Sequence, residues 1–292
     1  MPPPPARRRK PPVDRAPGAR PRARRPWARA WVVGLALAAL AAPALGREPI
    51  VTRIENTDHR IAITFDACAT QTHGYKFDRG IYRILQSEHI PATIFVSGRW
   101  VEFHPDVMEE LAADPMIEFG NHSYDHPHMS EMGNGDIESE IDDTEATLAR
   151  YGKHSVAFRP PFGDYNDRML DVIRARGLPV VSWDVVSGDP SEATTTNGMI
   201  QDVEENTRPG SIVIFHINGR GHKTAEALPT IVRALRARGF EPVLLSQLLA
   251  PSKKPTRALP CNVGPTACVA LPAWDHYAPF GGSGTVESQV RR

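Results

Sequence analysis

Along residues 61–249 the spacing of apolar positions switches repeatedly between two periods. Short runs of apolar and β-branched residues read as buried strands. Stretches whose apolar residues recur every three to four positions read as amphipathic helices. Strand readings fall at 61–65, 92–96, 117–119, 156–158, 179–183, 211–215 and 242–245. Helix readings fall at 78–88, 106–113, 136–150, 167–176, 198–205 and 224–238, with a last one starting at 246–249. Pro105 suits a first helical turn, and Gly177 and Gly239 stand where helices end. Strict strand–helix alternation predicts an α/β fold with parallel strands and helical crossovers. About seven such units favour a (β/α) barrel over an open sheet. Functional groups of a barrel lie at the C-terminal ends of its strands.

The flanks do not share this alternation. Residues 1–46 hold ten basic side chains against the lone Asp14, a net of +9. The chain has 34 basic and 34 acidic residues in all, so the other 246 carry 24 bases and 33 acids, a net of −9. The overall zero is a cancellation between unlike pieces. Residues 31–45 are apolar and uncharged, shorter than the roughly 20 residues a spanning helix needs. A basic start, a short apolar stretch and small residues at Ala42, Ala44 and Gly46 predict a secretory signal, cleaved after Gly46. Arg24-Arg25 before Pro26-Trp27 loosely resembles a twin-arginine signal. An uncleaved anchor or a start codon placed too early are the competing readings. Residues 251–292 are rich in Pro and Gly and read as an irregular tail. Cys261 and Cys268 bracket a short loop there and would form a disulfide in an oxidising compartment. The division is therefore a signal at 1–46, an α/β domain at 47–250 and a tail at 251–292. The expected location is exported, periplasmic or extracellular. The basic run belongs to the signal, so nucleic acid is excluded as a partner, and membrane contact is expected only through that segment.

Polar residues gather at the predicted strand ends. Asp66 follows the first strand, and His122 and His126 follow the third. Arg159 opens the segment 159–163 after the fourth, Asp184 and Asp189 follow the fifth, and His216 follows the sixth. Any one of these, taken alone, is better read as a satisfied structural residue. Five at equivalent strand ends point to a site. His122 and His126 are four apart, which on a helical turn lets both imidazoles share one metal. A catalytic zinc takes three protein ligands and keeps one open position, and a carboxylate would complete the set. Asp66 is then the candidate general base and His216 the candidate acid.

With these residues in place, the pattern resembles the polysaccharide deacetylase family (NodB-homology domain, carbohydrate esterase family four). Thr64-Phe65-Asp66 resembles its first motif, T-F-D-D. Residues 122–126 match H-[ST]-x-x-H, and 159–163 match R-x-P-[YF]-G. Residues 183–189 partly match D-x-x-D-W, and Ile214-Phe215-His216 resembles L-x-H. The resemblance spans residues 61–249. It implies a distorted (β/α) barrel and metal-assisted removal of N-acetyl groups from amino sugars of a polysaccharide or peptidoglycan. It implies Asp66 as base, His122 and His126 as ligands of a divalent metal such as zinc, and His216 as acid held by Asp189. Arg159 would orient Asp66, and the backbone N–H of Phe162 would stabilise the oxyanion.

Two positions depart from the family pattern. Ala67 stands where the second aspartate, a metal ligand, is expected. Asp66 itself, Cys68, Asp125 or a water are the replacements, or metal binding is weak or lost. For Cys68 a small buried residue packed behind the strand is the favoured reading. In the fourth motif Val186 replaces an aspartate, so Asp184, two residues earlier, is expected to partner Arg159 instead. Trp183 and Phe162 are candidate sugar contacts. Two further readings stay open on the strength of Ala67: a catalytically impaired carbohydrate-binding relative, and a metal-independent hydrolase of small amides. The net of −9 on the mature chain argues against capture of strongly acidic glycans by bulk charge.

Overall fold

The computed structural model describes residues 50–69 and 76–250. The predicted signal at 1–46, the tail at 251–292 and the Cys261–Cys268 pair lie outside these residues. No helix among the described residues is long and apolar enough to cross a membrane.

The alternation is realised from the first strand onward. β1 (Arg60–Ala67) leads to α1 (Arg79–Ser87), then β2 (Ala92–Val96), α2 (Gly98–Phe103), α3 (Pro105–Ala113) and β3 (Ile117–Asn121). After α4 (Asn134–Ala149) and α5 (Asp167–Ala175) come β4 (Val185–Val186), α6 (Thr196–Asn206), β5 (Ile212–His216), α7 (Thr224–Ala237), β6 (Glu241–Val243) and α8 (Leu245–Leu249). Local chemistry sets several helix starts. Asp78, Asn166 and Thr195 each accept a backbone N–H from the first turn of the helix they precede, which satisfies donors that a helix end otherwise leaves free.

All ladders are parallel, in the order β3-β2-β1-β5-β4, and β6 pairs with the first residues of β1. Among the described residues these ladders do not close on themselves. Single bridges continue from β3: Asn121 with Phe158, Phe158 with Val180, and Val51 with Val181. Arg53 then makes an antiparallel bridge to Ser211, just ahead of β5. Where a regular barrel has ladders, this side has bridges one residue long.

Period-two alternation in β1 separates two environments. Ile61, Ile63, Phe65 and Ala67 join Ala69 in the large apolar cluster that also takes residues of α1, α2, α3, α6 and α7. Ala62 faces an inner cluster with Phe95, Val181, Ile212 and Leu245. Asp66 stands on that inner side at the C-terminal end of the strand, in register with His216 of β5.

Three expectations shift. The predicted strands at 156–158 and 179–183 survive only as bridges. The ladder after α5 is instead Val185–Val186, so Asp184 precedes that strand rather than ending one. The helix Gly98–Phe103 follows β2 immediately, and its first residue explains why. A Cβ on Gly98 would lie 2.2 Å from the Tyr124 ring, so only glycine lets α2 approach the loop after β3.

Candidate active site

The C-terminal ends of β1, β3 and β5, with the segment 159–163, converge on one buried polar cluster. The Asp66 carboxylate is its centre. Its Oδ1 accepts from Arg159 Nη1 at 2.8 Å, and its Oδ2 lies 3.5 Å from His122 Nε2. Arg159 is fully buried; its Nη2 also donates to Thr64 Oγ1 at 2.9 Å and to the Ser182 carbonyl at 3.3 Å. Its guanidinium lies 3.9 Å from the centre of the Phe95 ring and 5.5 Å from that of Trp183. Burial by itself would raise the Asp66 pKa. The Arg159 charge outweighs it and holds the carboxyl below its usual range. Asp66 is therefore ionised at neutral pH, with its orientation fixed.

The two histidines after β3 are held by their backbone. Ser123 and His126 have φ of 62° and 57°, a region that costs non-glycine residues about 1–3 kcal/mol each. Hydrogen bonds hold this bend. Asn121 Oδ1 accepts from Ser123 N, Ser123 Oγ accepts from His126 N, and Glu140 of α4 accepts from both Tyr124 N and Asp125 N. Glu140 had no motif to mark it, and only the fold brings α4 beneath this loop. Asp125, a candidate ligand by sequence, is exposed and pairs with Arg99.

His122 Nδ1 lies 2.7 Å from the Arg159 carbonyl. A carbonyl only accepts, so Nδ1 carries the proton and Nε2 presents a lone pair. That lone pair meets His126 Nε2 at 3.2 Å. Burial lowers the pKa of both rings, that of His126 to about 2 with the neighbouring His122 adding to the effect, so both are neutral. His126 Nδ1 is buried without a partner. Two neutral imidazoles facing nitrogen to nitrogen suit a borderline-soft divalent cation. Two Zn–N bonds of about 2.0–2.1 Å at a tetrahedral angle separate their nitrogens by about 3.3–3.4 Å.

Opposite this pair, His216 Nδ1 meets Asp189 Oδ1 at 2.9 Å. Asp189 Oδ2 accepts from His216 N at 2.7 Å and from Thr224 Oγ1 at 2.9 Å. The carboxylate is fully buried and fully used, and it fixes the ring with Nε2 free. Gly221 closes the arrangement. A Cβ there would lie 2.2 Å from the His216 carbonyl and 3.2 Å from Asp189 Oδ2.

The remaining expected residues divide. Phe162 has φ 59° within the short 3-10 turn Pro161–Gly163. Its ring stands edge-on to His126 at 4.4 Å and stacks on His128 at 4.2 Å. Trp183 packs against the inner apolar cluster and lies beside the Arg159 guanidinium. Asp184 does not reach Arg159. It accepts from Ser211 Oγ at 2.9 Å and Ile212 N at 2.8 Å, with Arg53 at 3.9 Å. Ile212 pairs with Ala62, four residues before Asp66, so Asp184 sits roughly 13 Å down the strands from the site. Thr64 contributes where no motif assigned it a role, as the second acceptor of Arg159.

Comparison with known proteins gives a consistent result. A family model described as polysaccharide deacetylase matches residues 53–181. A chitooligosaccharide deacetylase of Azorhizobium caulinodans is 30% identical over 204 residues, 64% of this chain and 93% of that protein. A peptidoglycan-N-acetylglucosamine deacetylase of Bacillus cereus is 28% identical over 200 residues, 66% of this chain and 70% of the relative. A solved structure described as a CE4 family pseudoenzyme of Bacillus anthracis shares the fold, with TM-score 0.61, 24% identity and 69% of each chain covered. A mutant of it, described as having restored enzymatic activity, gives TM-score 0.61 at 26% identity, covering 69% of this chain and 71% of the other.

Proposed function

The chain belongs to the polysaccharide deacetylase family, and from that premise we propose that it hydrolyses the N-acetyl amides of amino sugars in a cell-wall or extracellular polysaccharide. The observation that carries the reading is the pairing of a base with an acid across adjacent strands. Asp66 and His216 are register partners on β1 and β5, each held by a buried opposite number, Arg159 and Asp189. A module that only binds sugar has no use for such a pair.

In this reading the ionised Asp66 takes the proton of the attacking water. Arg159 keeps its Oδ1 engaged, so Oδ2 is the accepting atom. His216 gives a proton from Nε2 to the departing amine, while Asp189 keeps Nδ1–H pointed away from the substrate. The Phe162 N–H, presented by the left-handed turn, donates to the oxygen that gains charge. His122 and His126 would hold a divalent cation such as zinc, which when bound polarises the amide carbonyl as a Lewis acid. The apolar and basic composition of residues 1–46 supports export to where such polymers lie.

The test is acetate release by the purified chain from chitin oligomers and from peptidoglycan, with and without a chelator. Chelator-sensitive release that His216→Asn abolishes supports the proposal. Ala67, where the family carries a carboxylate, is the observation favouring a second reading as a carbohydrate-binding relative. Glycan binding without acetate release, unchanged in His216→Asn, would establish that reading instead.

A further inference from the structure

We infer that Cys68 Sγ is the third protein ligand of the cation held by His122 and His126, in place of the carboxylate missing at Ala67. The inference rests on the reading of the two histidines as a metal pair. Its first support is proximity. A Cys68 sulfur, a His122 nitrogen and a His126 nitrogen lie within 4.8 Å of one another, all three side chains buried. The Asp66 carboxylate does not join that set, and its Oδ1 is already committed to Arg159.

The second support is the phase of the strand. Phe65, Ala67 and Ala69 face the helix-side apolar cluster. Alternation puts Asp66 on the inner side, and Cys68, one residue past the end of β1, reaches the same polar cluster. Ala67 offers no ligand atom, whereas the sulfur of the next residue lies beside both histidines. The third support is what surrounds the sulfur. Asn218 Nδ2 donates to the Cys68 carbonyl at 2.6 Å and lies 3.4 Å from Sγ. One amide thus pins the backbone and offers an N–H to a sulfur that carries charge, as partners behind metal ligands do.

The chemistry of the set is specific. One thiolate and two imidazoles select zinc or cobalt(II) over magnesium or calcium, and three ligands leave a position open. Without a cation, burial and then the Asp66 charge push the thiol pKa up to about 12. Binding therefore breaks the S–H bond, forms the S–metal bond and releases the proton to water.

The experiment titrates the chelator-stripped full chain with cobalt(II) and follows its absorption. A thiolate ligand gives an intense near-ultraviolet sulfur-to-cobalt charge-transfer band. The expected result is that band in the parent and in Asp66→Asn, and its loss in Cys68→Ala and Cys68→Ser, with cobalt bound tenfold or more weakly. Circular dichroism identifies any variant that has not folded; should both Cys68 variants fail that check, the band of a Cys261→Ser, Cys268→Ser double variant decides, because Cys68 is then its only thiol. Cobalt bound by the parent without the band overturns the inference, as does a Cys68→Ala spectrum matching the parent. Loss of cobalt in Asp66→Asn with no effect of Cys68→Ala would also overturn it, and would assign the ligand to Asp66. The readout is independent of turnover. The band without acetate release defeats the proposed reaction and leaves this inference standing, and acetate release without the band does the reverse.

Discussion

Two histidine sites face each other across β1 and β5, and they are built in opposite ways. At His216 every polar atom of the supporting carboxylate is used. Asp189 accepts from the ring, from the His216 backbone and from Thr224. At His122 and His126 two ring nitrogens meet at 3.2 Å, and among the described residues His126 Nδ1 is buried with no partner. Buried polar atoms left unpaired cost about 1–3 kcal/mol. A satisfied histidine is set to move a proton in one direction. A pair left short of partners is set to receive something the polypeptide does not supply. On the proposed roles, completeness of hydrogen bonding separates the acid histidine from the ligand pair more sharply than exposure does, since all three rings are largely buried.

The comparison breaks most visibly in catalysis. His216→Asn should lower the rate of acetate release by about 10²–10⁴-fold while cobalt(II) affinity stays at the parent value. Steady-state kinetics and a metal titration on one sample check both halves. Equal loss of metal binding would mean the two sites are not separate. Next comes Arg159→Met, which leaves the buried Asp66 charge without its partner. About 3–5 kcal/mol of unfolding free energy should be lost, seen as a lower midpoint in urea.

A smaller effect sharpens the contrast through pH. His122 and His126 have folded-state pKa values lowered by burial. Below about 6.5 the unfolded chain takes up protons that the folded chain refuses. Their contribution is therefore present above that pH and lost as pH falls, at up to about 1.4 kcal/mol per pH unit for each histidine. Asp66, also lowered, acts in the same direction from about pH 4 downward. Urea melts of metal-free protein across pH should show this slope, with one histidine's share removed in His126→Asn. An unchanged slope would mean that ring is not buried neutral. Smallest is Asp184→Asn, far from both histidine sites. It should cost about 1–2 kcal/mol through weakened bonds to Ser211 and Ile212 and leave acetate release within a few-fold.

Much of the site was legible before any coordinates. Asp66, His122, His126, Arg159, Asp189 and His216 were each marked by a strand end and a matching motif, and the structure brings them together. The fifth predicted strand was misplaced because 179–183 has the composition of a strand but forms only bridges. That slip carried Asp184 to the wrong end of the sheet. Cys68 carries no motif, and a small buried cysteine by itself signals packing. Ala67 marks a missing ligand atom, while the sulfur of the next residue lies near both imidazoles.

The sequence by itself determined the alternation of strands and helices and the polar residues at the ends of strands such as β1, β3 and β5. Both are written in short-range periodicity and in the chemistry of neighbouring residues. The tertiary structure alone decided which distant groups meet. It joined Arg159 to Asp66 across 93 positions, placed Glu140 under the histidine loop, separated Asp184 from Asp189 and brought Cys68 to the imidazoles. Such meetings depend on strand register and on which segments pair. Those are set by the packing of the whole core, and a window of local sequence does not contain them.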